Sequence, residues 1–485
     1  MCSMVDAMPQ KTKIVATLGP ATESPEIVAK LIERGMNVAR FNFSHGTHED
    51  HERRFAIVRQ VASDLGTAVA ILQDIQGPKI RVGEFVGGSV EIVAGSTVRL
   101  LPGAGVGDRE NIHIAYLDRV DMSVGGTIFL ADGLIELEAV AVDDDGVTAT
   151  VIQDGDLMEH KGASFPGAAI SIPAVTDKDA IDLEFGMNLG FDLVAASFVN
   201  TGADIRSVRD IVGSQTIIAK IETAVGYMNL DDILQEADGA MVARGDLGVE
   251  LSIESVPRAQ YEIIHRANAA GKISITATEM LESMISSPRP TRAEVSDVYR
   301  SVLDGTDAVM LSAETAIGEY PTRAVKLMAS ICAEAEQSPS FGRAEGISNL
   351  SEGALFASAT SEASVDTADR LGIDIIVAFT ESGTTARLLS KYRPQADIYA
   401  FTPVESTYRK MAIYGGVRPM HLDRVYSTDD MIAAAEAELL RTGIVDTGDG
   451  VVMVAGVPPN RKSSTNVMKL HEIGSGHVLH PASET

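Results

Sequence analysis

The stretch Thr216-Ile217-Ile218-Ala219-Lys220-Ile221-Glu222, TIIAKIE, is a β-branched apolar run that carries two charges. Side chains alternate between the faces of a strand, so Lys220 and Glu222 point the same way. Charge in an apolar strand is costly unless it is paired or meets a ligand. The pattern recurs along the chain. KIVATL (from Lys13), VARFNF (Val38), AVAILQDI (Ala68), DLVAASFV (Asp192), GAMVARGD (Gly239), KISITAT (Lys272) and DAVMLSAE (Asp307) bring the count to eight. Segments of helical period separate the runs, which is the signature of parallel βα units. Ser24-Pro25-Glu26 reads as an N-cap with Pro and an acid in the first turn, and Ser252–Gly271 ends on a Gly stop. Eight such units predict a (β/α)8 TIM barrel in preference to an open doubly wound sheet.

One interval breaks the rhythm. GGSVEIVAG (from Gly87), GTIFLADGLIELEAVAV (Gly126) and GVTATVI (Gly146) are short alternating strands with Gly turns. The expected organisation is an N-terminal tail over 1–10 and a catalytic barrel over 11–82 and 172–338, with an inserted small β-barrel lid over 83–171. After a linker at Ser338–Ser351, residues 351–485 alternate apolar runs with helical patterns and read as a separate α/β domain.

The charge balance, 40 Lys and Arg against 68 Asp and Glu, gives −28 and argues against nucleic acid and anionic membrane surfaces as partners. A small phosphorylated ligand needs only a few local cations, metals or backbone N–H groups. No apolar run reaches the roughly 18 residues of a membrane span. The start MCSMVDAMPQK lacks the pattern of a secretory signal, and two cysteines make no disulfide framework; a cytoplasmic location is expected.

Barrel enzymes place their chemistry at the C-terminal strand ends. Those ends carry Arg40, Asn42 and Ser44; Asp74 with Arg81; Ser197; Lys220 and Glu222; Arg244 and Asp246; Thr278; and Ser312 with Glu314. Two explanations compete: salt bridges tying strand ends together, or one convergent site. Glu222 and Asp246 are hard oxygen ligands suited to Mg²⁺ or Mn²⁺. Arg40, Lys220 and Arg81 are phosphate partners, and the helix start at Arg244-Gly245-Asp246 offers N–H groups to a carboxylate. Metal, cations and backbone donors around one anion point to phosphoryl transfer. No GxxxxGK[ST] loop is present, so a P-loop enzyme is excluded.

Seven motifs in order, VARFNFSHG, QDIQGPKIR, IIAKIET, MVARGDLGVE, TATEMLESM, RPTRAEVSDV and LSAETAIGEYP, resemble those of pyruvate kinases. The resemblance runs over nearly the whole chain. It implies transfer of the phosphoryl group of phosphoenolpyruvate to ADP, giving pyruvate and ATP, in a homotetramer with allosteric regulation. It further implies that Arg40 and Lys220 hold the phosphoryl group and that Glu222 and Asp246 ligate the divalent metal. Gly245, Asp246 and Thr278 would receive the substrate carboxylate. Thr278 and Ser312 would form the relay that protonates the enolate, and Arg81 and His45 would contact the nucleotide, with which a second metal would enter. A phosphorylated effector would bind the loop Thr380-Glu381-Ser382-Gly383-Thr384-Thr385, which otherwise reads as an ordinary N-cap.

Lys79 departs from the pattern of many relatives, which carry Glu there beside a bound K⁺. The K⁺ pocket would be formed by Asn42, Ser44, Asp74 and the carbonyl of Ile75. Either the Lys79 ammonium supplies the charge in that pocket and K⁺ is not required, or Lys79 points to solvent beside the lid hinge. Pro459, Asn460 and Arg461 stand where many relatives have a Gly-rich loop, which leaves the effector's identity open. His45, His48 and His51 recur every third residue without further zinc-ligand spacing; His48 and His51 are expected to lie exposed near a helix start. Met280 and Met284 are expected to pack. Two other functions are compatible with a barrel: an enolate-forming carbon–carbon lyase, and a silent metabolite sensor. The first gives Arg81 and the lid no role, and the second has no use for an intact Lys220, Glu222 and Asp246.

Overall fold

The structure, a computed structural model, describes residues 10–342, 346–348, 355–457 and 465–475. Eight parallel strands pair in chain order: β1 (Lys13–Thr17), β2 (Met36–Asn42), β3 (Ala70–Asp74), β4 (Leu193–Ala196), β5 (Thr216–Ile221), β6 (Gly239–Ala243), β7 (Ile273–Ala277) and β8 (Ala308–Leu311). β8 closes on β1, Lys13 opposite Ala308, so the sheet has no free edge. Every apolar run that was read as a strand is one. The intervening helices start on side-chain caps, such as Ser24 accepting from the Ile27 N–H and Thr291 from that of Glu294. The register sets Asn42 beside Asp74, and Asp74 beside Ala195, which gathers three strand ends at one rim of the barrel.

Between β3 and β4 the chain leaves the barrel and folds as an all-β lid. Its main sheet has six strands in the order Ala163–Ser164, Thr127–Leu130, Ile135–Asp143, Gly146–Gln153, Thr97–Pro102 and Asn111–Ile114. Ile80, Val82, Leu100, Ile112, Ile128, Leu137 and Phe165 are among the residues of its own apolar core.

The C-terminal part is a five-stranded sheet in the order Val417–His421, Asp397–Thr402, Ile375–Phe379, Gly450–Ala455 and Val467–Glu472. The last strand is antiparallel to its neighbour and the others are parallel. The Val417–His421 strand was not anticipated. Its Pro419 argues against a central strand, and the structure puts it on the sheet's edge, where a missing N–H is tolerated.

Apolar packing is continuous from the barrel into this sheet: Val15, Leu72, Ile218 and Met310 share one cluster with Ile376, Ile398 and Tyr414. Two buried carboxylates reinforce the junction. Asp192 accepts Arg59 Nη2 at 2.6 Å from the barrel, Arg409 Nε at 2.9 Å from the C-terminal part, and the β3 amide of Ile71 at 2.8 Å. Asp307 pairs with Lys391, whose Nζ also reaches Asn268 Oδ1 at 2.9 Å. Removing one partner of such a buried pair typically costs about 3–5 kcal/mol, because the other charge is left uncompensated.

Candidate active site

The centre of the barrel rim is built on β2, β3 and β5. Arg40 Nε donates to Asp74 Oδ2 at 2.6 Å, and its Nη1 donates to Thr17 Oγ1 at 2.9 Å. Lys220 Nζ lies 3.2 Å from Asp74 Oδ1 and 3.0 Å from Glu222 Oε1, and donates to Ser197 Oγ at 2.6 Å. The same-side placement of Lys220 and Glu222 is the consequence of their spacing on β5. Ser197 in turn donates to the Ile75 carbonyl at 2.7 Å, and the Phe198 N–H donates to Glu222 Oε2 at 2.6 Å. Phe198 makes that bend with φ +54°, in the left-handed region that bulky residues avoid.

The electrostatics follow from burial and pairing. Burial opposes the charge of Lys220, yet the carboxylates of Asp74 and Glu222 overcome it and raise its pKa above the usual lysine value. Burial also works against ionised Asp74, but Arg40 and Lys220 hold its carboxyl below the ordinary value. Glu222 is raised, first by burial and then by the nearby charge of Asp246, against the opposing pull of Lys220. Glu222 and Asp246 are hard carboxylates and a donor set suited to a divalent cation, which would relieve the strain on the Glu222 charge.

A second group comes from β6 and β7. The Gly245 N–H donates to Thr278 Oγ1 at 2.9 Å, and that hydroxyl donates to the Ala277 carbonyl at 2.7 Å. Thr278 and Glu279 both have positive φ, +65° and +52°. Arg244 holds this strained turn, reaching the Thr278 carbonyl at 2.6 Å, the Glu279 carbonyl at 2.9 Å and Asp297 Oδ2 at 2.5 Å. Ser312 follows β8, and its N–H donates to Glu314 Oε2 at 2.6 Å, while Glu314 Oε1 accepts from the Leu281 N–H at 3.0 Å. Arg244 and Glu314 were legible as strand-end residues, but their contacts with Thr278, Glu279, Asp297 and Leu281 were not, because those partners are 33 to 53 positions away.

Lys79 corrects both readings made of it. Its Nζ donates to Asp246 Oδ1 at 2.8 Å and lies 3.6 Å from Asp132 Oδ1 of the lid, so it neither sits on Asp74 nor points to solvent. Asp74 is already neutralised by Arg40 and Lys220, and Asp246 is the carboxylate left for an ammonium to meet. Asn42 Oδ1 accepts from the Ser44 N–H at 3.1 Å, and the Ile75 carbonyl is taken by Ser197. Arg81 stands at the lid edge, bridging Gly162 through its backbone and donating to the His160 carbonyl at 2.9 Å. The His45 imidazole is held below its usual pKa by burial and then by the charges of Arg81 and Arg40.

His51 is buried, contrary to expectation. Its ring stacks on Phe43 at 4.1 Å between centroids and its Nε2 meets the His45 carbonyl at 3.0 Å. His48 is half-buried, stacked on Phe185 and 2.7 Å from Asp182. Met280 and Met284 are core residues. The Thr380–Thr385 loop lies away from the barrel rim, after the strand Ile375–Phe379. The N-cap position of its helix, Thr384–Lys391, is Gly383 at φ +87°, and the first-turn N–H of Thr384 donates to Ser382 Oγ at 3.4 Å, as the ordinary reading of this loop expected. Arg461 and Lys462 lie outside the described residues.

Residues 9–325 match the barrel domain of pyruvate kinase, and 358–471 match its alpha/beta domain. The chain belongs to the pyruvate kinase family. It is 44% identical over 474 residues to the pyruvate kinase of Geobacillus stearothermophilus, covering 96% of this chain and 81% of the relative. The pyruvate kinase of Staphylococcus aureus strain MRSA252 is likewise 44% identical, over 473 residues, with the same coverage. A crystal structure of a pyruvate kinase from Cryptosporidium parvum superposes with a TM-score of 0.88 at 35% identity, over 96% of this chain and 97% of that one. The activity is therefore that of a pyruvate kinase, a glycolytic phosphotransferase with phosphoenolpyruvate and ADP as substrates. Pyruvate kinases generally use Mg²⁺ and a monovalent cation. No described helix is long and apolar enough to cross a membrane.

Proposed function

We propose that the rim formed by β2, β3, β5, β6 and β7 is where phosphoenolpyruvate gives up its phosphoryl group. The supporting observation is the position of Lys220, fixed between Asp74 and Glu222 by 3.2 and 3.0 Å contacts. Asp74 and Glu222 favour the charged form of this ammonium. Lys220 therefore serves as a permanent charge, with Arg40 beside it, against the oxygens of the moving phosphoryl group. Asp74 keeps both cations aimed.

Glu222 and Asp246 would hold Mg²⁺ or Mn²⁺. Bound there, the ion would supply charge neutralisation at phosphoryl and enolate oxygens. The Gly245 and Asp246 N–H groups and the Thr278 hydroxyl would receive the substrate carboxylate. The methylene carbon of the enolate would be protonated through Thr278 and Ser312, by way of water. Arg81, on the movable lid, and His45 would meet ADP. In a coupled assay with Mg²⁺, Lys220→Ala is expected to lose the great majority of turnover; undiminished turnover would overturn this assignment.

The helix start at Thr384, with the hydroxyls of Ser382 and Thr384 3.0 Å apart, supports a phosphorylated effector at Thr380–Thr385, identifiable by screening sugar phosphates and AMP for shifts in substrate half-saturation. Exposed Ile253 and Tyr261 on the barrel flank support association of copies, as in a homotetramer, which sedimentation would test. The scarcity of cysteine supports a cytoplasmic location.

A further inference from the structure

Lys79 is the only described side chain that touches both a lid carboxylate and the Asp246 carboxylate among the ion pairs of the site. The distances are unequal: 2.8 Å to Asp246 Oδ1 and 3.6 Å to Asp132 Oδ1. The lid turn that carries Asp132 is shaped for this approach. Ala131, Asp132 and Gly133 all have positive φ, +52°, +57° and +92°. Such a run is costly for the two non-glycine residues and persists only where surrounding contacts impose it. The turn faces the barrel helix Arg244–Glu250: a Cβ added on Gly133 would lie 3.3 Å from Val249 Cγ2. Beneath the pair, Gly162 leaves the space: a Cβ there would meet Asp132 Oδ1 at 2.7 Å and Lys79 Cε at 3.2 Å.

An ammonium and a divalent cation cannot share Asp246 comfortably. Like charges within a few ångströms in a half-buried site repel strongly. The nearest other carboxylate to Lys79 is Asp132, close enough to be reached by side-chain rotation. We propose that Asp132 is a positioning residue for the reaction: when a divalent cation takes Asp246, Lys79 transfers its hydrogen bond to Asp132 and draws the lid turn onto the barrel. Metal loading and lid position are then one coupled equilibrium. Lys79 competes with metal in the open state, and Asp132 offers it an alternative that lessens the competition. Without metal, burial disfavours the charge on Lys79, but Asp246 first and Asp132 as well raise its pKa above the ordinary lysine value.

The inference rests on Asp246 being a metal ligand. The test is Mn²⁺ binding to the substrate-free full-length protein, followed by electron paramagnetic resonance of free Mn²⁺, with proteolysis of the lid as a second readout. Asp132→Asn is expected to weaken Mn²⁺ binding on the order of tenfold, as loss of outer partners of a metal site does. Lys79→Gln is expected to tighten it, and in that background Asp132→Asn is expected to have no further effect. Mn²⁺ is expected to protect the lid from protease in wild type but not in Asp132→Asn. Gly162→Ala, which leaves every charge in place but crowds the pair, is expected to reproduce the Asp132→Asn phenotype. Asp132→Asn binding Mn²⁺ like wild type, or weakening it equally with and without Lys79, overturns the hand-off while leaving Asp246 as a ligand. Unchanged Mn²⁺ affinity in Asp246→Asn would instead overturn the metal site itself, and the hand-off with it.

Discussion

Asp74 stands between Arg40 and Lys220, 2.6 Å from one and 3.2 Å from the other, and is the single buried carboxylate that both cations share. Three strands contribute to this contact, so it fixes the two charges proposed to meet phosphate to one point of the rim. Asp74→Asn keeps the shape and removes the charge. A misplacement of about 1 Å in such a site costs roughly 100-fold in rate, so kcat is expected to fall by about that factor. Steady-state kinetics, with far-ultraviolet circular dichroism to check folding, decide it; an unchanged kcat contradicts the role.

Thr278 carries a β-branched side chain at φ +65°, which only the surrounding contacts sustain. Thr278→Ala and Thr278→Gly both remove the hydroxyl, yet glycine alone also relieves the strain. The glycine variant is expected to be more stable than the alanine variant by about 1 kcal/mol, with turnover lowered in both. Urea unfolding of the two variants measures the difference; equal midpoints would mean that the turn is not strained.

Glu250 lies in the lid–barrel cleft, where burial first, and the charge of Asp246 as well, hold its carboxyl up at about 7 rather than at 4.5. Between those values the folded protein keeps a proton that the unfolded chain releases. The stabilisation is complete below about pH 4.5 and is lost as pH rises through about 7. For a carboxyl that solvent partly reaches, the effect is on the order of 1–2 kcal/mol. Denaturation midpoints of the metal-free protein, compared with those of Glu250→Gln, are expected to diverge as pH rises over this window; parallel profiles would refute the shift.

Lys79 brings a positive charge to the rim, between Asp246 and Asp132, although not in the pocket of Asn42, Ser44, Asp74 and Ile75. Turnover with tetramethylammonium as the sole added monovalent cation is expected to equal that with K⁺. A collapse of the rate in that buffer would show that the pocket needs its own ion.

The barrel was legible because its information is local. Apolar runs of strand period alternate with helical segments, and charges within those runs mark the rim, as Lys220 and Glu222 do on β5. What was illegible is contact across long sequence separations. Lys79 and Asp246 are 167 positions apart, and nothing near DIQGPKIR indicates that the ammonium will choose that carboxylate over Asp74. His51 looked exposed from its place in the first turn of a charged helix, but the ring of Phe43 covers it. The Val417–His421 strand is hidden by its own Pro419 and by polar neighbours, and only its place on the sheet edge explains why it forms.

The packing divides the molecule differently from the chain order. The barrel and the C-terminal sheet share one apolar cluster and are joined by Asp192 and Asp307, whereas the lid has a core of its own. Elements with separate cores open with separate free energies. On heating, the lid can therefore melt while the barrel remains closed, leaving Arg40, Lys220 and Glu222 in place but Arg81 adrift. On the roles proposed for these residues, such a half-molten protein would still hold the phosphoryl donor and would have lost its grip on the acceptor.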